Sequence, residues 1–187
     1  MKMTLQEAFT KAVTGVLNQR RVSKLYPDDE GSSTCAYTSP SGDHCAVGFL
    51  IDPKVYSEVL EGNQVDDEVV KEALEASGVP TDKASISLYS AMQEVHDFRS
   101  VSEWDWKFAE LGERAGLKMP NRYRVACRYR NPGDQGVLHL SKTVTVFAMD
   151  EDEARLNAID VMYKAYGICE HVTPTGDVTK VGLDFPQ

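Results

Sequence analysis

A chain of 187 residues with 42% hydrophobic and 26% charged side chains has an ordinary globular composition and is long enough for one medium domain or two small ones. No apolar run approaches the roughly 20 residues that cross a bilayer, and the stretch MKMTLQEAFTKAV lacks a signal core, so we expect neither a membrane segment nor secretion. Most of the net charge of −9 lies in residues 1–118, whose 20 acidic and 12 basic side chains disfavour nucleic acid as their partner. Four cysteines without a CxxC pair indicate reduced thiols and a cytoplasmic location.

Residues 1–118 predict a mainly helical domain. Thr4 and Glu7 form a capping box, and apolar residues then recur at helical spacing as far as Leu17. The segment 34–52, TCAYTSPSGDHCAVGFLID, sets two short apolar runs around turn residues and predicts an embedded β-hairpin with Gly42 near its tip. A short helix is predicted from Pro53, after an N-cap at Asp52, to Gly62. Further helices are predicted from Asp66 to Ser77, from Asp82 to Phe98, and from a second capping box at Ser102 to Gly116.

The pattern changes after the linker LKMPNR at residues 117–122. The runs RYRVACRYR and LHLSKTVTVFA alternate as strands do, and DEDE at 150–153 opens a helix. ICEHVTP and DVTKVGL predict two more strands around a turn at Thr175 and Gly176. Residues 119–187 therefore predict a small β-β-α-β-β domain, and the whole chain belongs to the α+β class.

The two cysteines of segment 34–52 raise the question of a metal site. Cys35, Cys45 and the adjacent His44 supply three ligands, one fewer than a closed zinc site needs. In a strand, His44 and Cys45 would also point to opposite faces. Known zinc spacings are absent, so the sequence predicts no metal site and no cofactor, with both cysteines packed in the core.

A thiol nucleophile is the alternative interpretation of Cys45. His96, followed by Asp97, is the candidate base, because a catalytic dyad forms in space and not in sequence. Against this, the surroundings of Cys45 in CAVGFLI are apolar, and a buried cysteine is inert. Since no hydrolase, kinase or nucleotide-binding motif is present either, the sequence favours a protein that is not an enzyme.

The first predicted strand of the C-terminal domain carries a basic strip. Alternation places Arg122, Arg124, Arg128 and Arg130 on one strand face, where they are candidates for binding nucleic acid. The tyrosines of the same strand point to the opposite face, so bases would lack aromatic stacking partners. A solvated sheet face with cross-strand charge pairs is the alternative interpretation.

The fourth predicted helix contains two tryptophans on different faces. Trp104 and Phe108 share one face, and Trp106 lies about 200° from Trp104 around the helix. Trp106 is therefore either exposed or covered by another segment. If exposed, it would form a binding surface together with Asp105 and Glu110.

Three stretches carry a resemblance: TLQEAFTKAV near the start, CAYTSPSGDHCAVGFLID, and LYSAMQEVHDF before a tryptophan-rich helix. In residues 3–117 these resemble a recurrent class of small, mostly uncharacterised bacteriophage and prophage proteins, whereas residues 119–187 resemble no family. The resemblance implies an accessory protein of the host cytoplasm that binds and inhibits a host or antiviral-defence protein through an acidic surface. A module that binds nucleic acid through the basic strip is the alternative.

Overall fold

The computed structural model describes residues 2–25, 35–130, 140–166 and 170–182, without the side chains at 130, 140, 165, 166, 170 and 171. The chain divides into two compact units, Met1–Met119 and Pro120–Gln187, called unit 1 and unit 2 below. Unit 1 contains α1 (Leu5–Gln19), a short 3-10 helix (Glu58–Leu60), α2 (Glu68–Ala76), α3 (Lys83–Phe98) and α4 (Trp104–Ala115). Unit 2 contains β1 (Asn121–Arg130), β2 (Leu140–Ala148), α5 (Glu151–Tyr166) and β3 (Glu170–Val181). The α+β class is confirmed, and among the described residues no helix has the length and apolar character to span a bilayer.

Side-chain caps fix where two of the unit 1 helices begin. At α1 the Thr4 hydroxyl accepts the Glu7 N–H at 3.2 Å and the Glu7 carboxylate accepts the Thr4 N–H at 2.6 Å, so the predicted capping box is confirmed. Asp82 caps α3 by accepting the N–H groups of Ala84 and Ser85. The capping box predicted at Ser102 is wrong. The N-cap residue of α4 is Glu103, and its side chain makes no capping hydrogen bond.

The predicted β-hairpin is reduced to a single bridge between Thr38 and His44, with Gly42 at a φ of +79° in its tip. After Cys45 the chain makes consecutive turns, in which the Phe49 N–H donates to the Cys45 carbonyl at 3.2 Å. CAVGFLI is therefore not a strand. A half-exposed strand would alternate apolar and polar residues, whereas a continuous apolar run indicates a fully buried segment. The Phe49 ring of this segment packs directly against Gly15 of α1.

The two ends of unit 1 are joined by one side chain. The Gln6 carboxamide donates from Nε2 to the Lys118 carbonyl at 2.9 Å, and its Oε1 accepts the Lys118 N–H at 2.8 Å. Close by, Gly112 of α4 leaves room for the Phe9 ring of α1, since a Cβ at Gly112 would lie 3.0 Å from that ring. The first and last helices of the unit therefore pack closely against each other.

Unit 2 is a three-stranded antiparallel sheet with one helix packed on it. The strand order is β2-β1-β3, and α5 covers the face formed by alternate residues of the strands. The predicted turn at Thr175 and Gly176 is instead a β-bulge within one continuous β3, because Val125 pairs with Val178 whereas Cys127 pairs with Pro174. The unit is therefore β-β-α-β and not β-β-α-β-β. Its core consists of Tyr123, Val125, Cys127, Val144, Val146, Ala148, Ala154, Ala158 and Met162.

Candidate functional site

Four side chains with chemically reactive or metal-binding groups converge in unit 1. We call Cys35, Cys45, His96 and Asp97 the thiol cluster. Three of them border a cleft of about 230 Å³. The remaining cleft wall consists of Tyr37, Gly62, Asn63, Gln64, Val65 and Gln93.

Two parts of the chain supply the thiol cluster. Gln93, His96 and Asp97 lie at positions i, i+3 and i+4 of α3, a spacing that places all three on one helix face. The cysteines come from the two sides of the Thr38–His44 bridge. The Glu61 carboxylate holds this loop by accepting the backbone N–H groups of Tyr37 and Thr38 at 2.9 and 3.1 Å.

The contacts within the cluster meet at one ring nitrogen. Nδ1 of His96 lies 3.7 Å from the Cys35 Sγ and 2.8 Å from the Asp97 Oδ1. The ligand atoms of these three residues all lie within 4.8 Å of one another. Gln93 Nε2 donates to the Cys35 sulfur at 2.9 Å and to both Asp97 oxygens at 3.0 Å, and the Gly48 N–H donates to the Cys45 sulfur at 3.3 Å.

Cys45 and His96 are buried, whereas Cys35 and Asp97 are half-buried at the cleft. The His96 ring is fully buried and stacks on Trp104 with 5.0 Å between ring centroids, and its Nε2 has no hydrogen-bond partner in the described part of the chain. A hydrogen bond with Cys45, burial and the charge of Asp97 together raise the pKa of the Cys35 thiol above its ordinary value. Among the described residues, no lysine or arginine contacts the cluster.

This geometry is unfavourable for thiol catalysis. In a catalytic triad the nucleophile and the orienting carboxylate use different nitrogens of the histidine ring. Here the Cys35 sulfur and the Asp97 carboxylate share Nδ1, and Nε2 is closed off inside the core. A nucleophilic cysteine also needs a lowered pKa, whereas the pKa of Cys35 is raised.

Sequence reasoning paired Cys45 with His96, and the structure brings both into the cluster but places Cys35 next to the ring. From the sequence, Cys35 is considered only as a metal ligand beside Cys45 and His44, and Gln93 is not included, although Q-x-x-H-D at helical spacing indicates one helix face. His44 lies elsewhere, with its Nδ1 3.1 Å from the Thr38 hydroxyl and its ring against Phe49.

The predicted surface around Trp106 is largely occupied by contacts within unit 1. Trp106 is half-buried, and the Lys107 ammonium lies 4.0 Å from its ring centroid. Asp105 forms an ion pair with Arg20 at 2.6 Å. Glu110 pairs with both Lys107 and Arg114, so its charge is compensated locally.

The densest group of exposed carboxylates in unit 1 lies instead in residues 52–77, which we call the acidic segment; of these carboxylates, Glu68 is ion-paired with Lys71 at 2.7 Å. It contains eight carboxylates and two lysines. Glu61 points inward, and the other seven are exposed: Asp52, Glu58, Asp66, Asp67, Glu68, Glu72 and Glu75. Hydrogen bonding to Glu68, with the nearby charges of Asp66 and Asp67, raises the pKa of Lys71, which shows the local negative field. Val59 is 69% exposed within this segment.

The basic strip lies on the open sheet face of unit 2. Arg124 and Arg128 are exposed, while Arg122 donates to the Gly182 carbonyl at 2.7 Å and the Arg130 side chain lies outside the described residues. The cross-strand neighbours of Arg124 and Arg128 all carry hydroxyls: Thr145 and Thr179 beside Arg124, and Ser141 and Thr173 beside Arg128. Arg124 and Arg128 therefore have no carboxylate directly opposite them, whereas Arg130 pairs in register with Glu170.

The chain matches no protein-family model, no curated protein and no solved structure.

Proposed function

We propose that the chain is a non-catalytic binding protein that inhibits a host or antiviral-defence protein by occupying a basic surface on it, as the resemblance to bacteriophage accessory proteins implies. The observation that carries the proposal is the acidic segment, with seven exposed carboxylates and only two lysines. A concentrated charge of one sign steers association with an oppositely charged partner and selects against acidic ones.

The acidic segment differs from the surface around Trp106 because several of its carboxylates form no ion pair within the unit. Asp105 and Glu110 are ion-paired within the unit, whereas Asp66 and Glu72 are exposed and make no ion pair with a basic side chain of the described residues. Carboxylates that form no ion pair within the unit can form ion pairs with a basic partner. The exposed Val59 adds an apolar contact within the segment.

Neutralising part of the acidic segment is expected to weaken binding. The double variant Asp66→Asn/Glu72→Gln should retain about 5- to 10-fold less of the basic partner at low salt, because two exposed charges each contribute a fraction of a kcal/mol to about 1 kcal/mol. The measurement is capture by tagged full-length protein from nuclease-treated bacterial lysate, quantified by mass spectrometry over a salt series.

The matched control is Glu94→Gln/Glu113→Gln, which removes two exposed charges from α3 and α4 of the same unit. This control should retain the partner as the unmodified chain does. Equal losses in both double variants would mean that overall charge, and not the acidic segment, governs binding. If every partner disappears after nuclease treatment, the proposal is wrong.

A second candidate function is the binding of single-stranded nucleic acid by unit 2. The hydroxyl residues beside Arg124 and Arg128 favour it, because arginine, serine and threonine side chains are common donors to phosphate oxygens. The sheet face opposite α5 would then follow the nucleic-acid backbone without reading its sequence.

The double variant Arg124→Ala/Arg128→Ala is expected to abolish such binding while unit 2 stays folded, since both side chains are exposed. Fluorescence anisotropy with a labelled single-stranded oligonucleotide over a salt series would show salt-dependent binding by the unmodified chain and none by the variant. The control Arg155→Ala/Lys164→Ala removes two positive charges from α5, where both are ion-paired. Unchanged affinity in the first variant would exclude the basic strip.

A further inference from the structure

The side chains of the thiol cluster are of the types that bind metal ions. We infer that Cys35 Sγ, Cys45 Sγ, His96 Nδ1 and a carboxylate oxygen of Asp97 bind one zinc ion. This inference goes beyond the proposed function and does not depend on it. It also departs from the expectation drawn from sequence, which counted only Cys35, Cys45 and His44.

The distances suit a tetrahedral ion. With Zn–S near 2.3 Å and Zn–N near 2.0 Å, a sulfur and a nitrogen on the same tetrahedral ion lie about 3.6 Å apart. The Cys35 Sγ and the His96 Nδ1 are 3.7 Å apart, and the Asp97 carboxylate completes a triangle in which all ligand atoms lie within 4.8 Å of one another. The fourth ligand is Cys45, which borders the same cleft as Cys35 and Asp97. Its sulfur lies outside the group of ligand atoms within 4.8 Å of one another, so it would move toward the other three when the ion binds.

One ion would also resolve the sharing of Nδ1. Without a metal, Nδ1 has two neighbours, the Cys35 sulfur and the Asp97 carboxylate, but it can hold only one proton. A zinc ion between them contacts the ring nitrogen, the sulfur and the carboxylate at once. Among the described residues, no lysine or arginine contacts Cys35, His96 or Asp97, so no side chain there competes with a metal ion for the Asp97 carboxylate.

The surrounding contacts are those that hold metal ligands in place. The Gly48 N–H donates to the Cys45 sulfur, and Gln93 Nε2 donates to both the Cys35 sulfur and the Asp97 carboxylate. Such donors stabilise negative charge on the ligands and fix their direction. The Trp104 ring stacked on His96 fixes the plane of the imidazole.

The ligand set selects zinc over the hard cations. Calcium and magnesium prefer oxygen ligands, whereas two thiolates with an imidazole suit a soft or borderline ion. Four protein ligands leave no open position, so the ion would be structural and would tie the loop carrying the cysteines to α3. The cleft beside the site would then be a route of entry for the ion.

The first test measures metal in the full-length protein, expressed with added zinc, desalted without chelator, and analysed by mass spectrometry. The expected result is one zinc per chain, which falls at least 10-fold in Cys35→Ala and in Cys45→Ala. The matched control is Cys127→Ala, which removes a buried cysteine from unit 2 and should leave the zinc content unchanged. Zinc that persists in the double variant Cys35→Ala/Cys45→Ala would overturn the inference.

The second test needs no variant and so does not depend on whether the variants fold. The protein is stripped with a chelator, and Co²⁺ is added as a spectroscopic probe. Thiolate-to-cobalt charge transfer and the intense visible bands of tetrahedral cobalt, saturating at one equivalent and displaced by Zn²⁺, are the expected result. Only weak bands without charge transfer would overturn the inference. A further variant, Asp97→Asn, should keep the charge-transfer bands and weaken Co²⁺ affinity at least 10-fold.

Discussion

Replacing Gly48 with alanine is expected to cost about 3 kcal/mol or more in the free energy of unfolding of unit 1, because no space exists for a side chain there. A Cβ at Gly48 would lie 1.8 Å from the Tyr37 carbonyl oxygen and 2.7 Å from its carbon. Both clashing atoms are backbone, so no rotamer change relieves the overlap. Tyr37 cannot retreat easily, since its N–H donates to Glu61 and its hydroxyl donates to the Asn63 carbonyl at 2.9 Å.

Urea unfolding followed by tryptophan fluorescence would measure this effect in unit 1, which contains both tryptophans of the chain. The control is Gly176→Ala in the β3 bulge of unit 2, where a Cβ meets nothing within 4 Å. We expect a change within about 0.5 kcal/mol, measured by far-UV circular dichroism because unit 2 contains no tryptophan. A Gly48→Ala midpoint equal to that of the unmodified chain would show that the loop does not approach Tyr37 so closely. Because Gly48 also donates to Cys45, the same variant should lower zinc content.

Removal of the Trp104 side chain is the second large effect, and we expect Trp104→Ala to cost about 3–5 kcal/mol in unfolding free energy. Trp104 is fully buried, stacks on the His96 ring, and donates from Nε1 to the Arg99 carbonyl at 3.2 Å. Its loss would leave a cavity beside His96 and an unpaired carbonyl at the end of α3. Denaturant unfolding followed by far-UV circular dichroism avoids relying on the deleted fluorophore.

Trp106→Ala is the matched control, since it removes the same side chain two residues along the same helix. Trp106 is half-buried and packs under Lys107, so we expect a loss of only about 1 kcal/mol. Similar losses in the two variants would contradict the assignment of Trp104 to the core and Trp106 to the periphery.

Local rules in the sequence were sufficient for most helix and strand boundaries. The reciprocal hydrogen bonds of Thr4 and Glu7 involve residues three apart, so they can be read before any fold is known. The same holds for β1, where alternation correctly separates Arg124 and Arg128 from the core residues Tyr123 and Val125. The bulge at Thr175 could not be read in this way, because a turn and a bulge use the same residue types and only pairing with β1 distinguishes them.

The thiol cluster could be predicted only in part from the sequence. Gln93, His96 and Asp97 can be placed on one helix face from their spacing alone. Which loop covers that face depends on packing between segments far apart in the chain, since Cys35 and His96 are 61 residues apart. The ion pair of Asp105 with Arg20 is similar, because it joins residues from two distant parts of the chain and cannot be inferred from the pattern within either.

The bonds between Gln6 and Lys118 mean that the chain enters and leaves unit 1 at neighbouring points. A unit with adjacent ends can be circularly permuted, with a short linker joining the old ends and new ends opened in an exposed loop. For the same reason, residues 2–119 could be inserted into a surface loop of an unrelated carrier protein, because adjacent ends would not push the two sides of that loop apart.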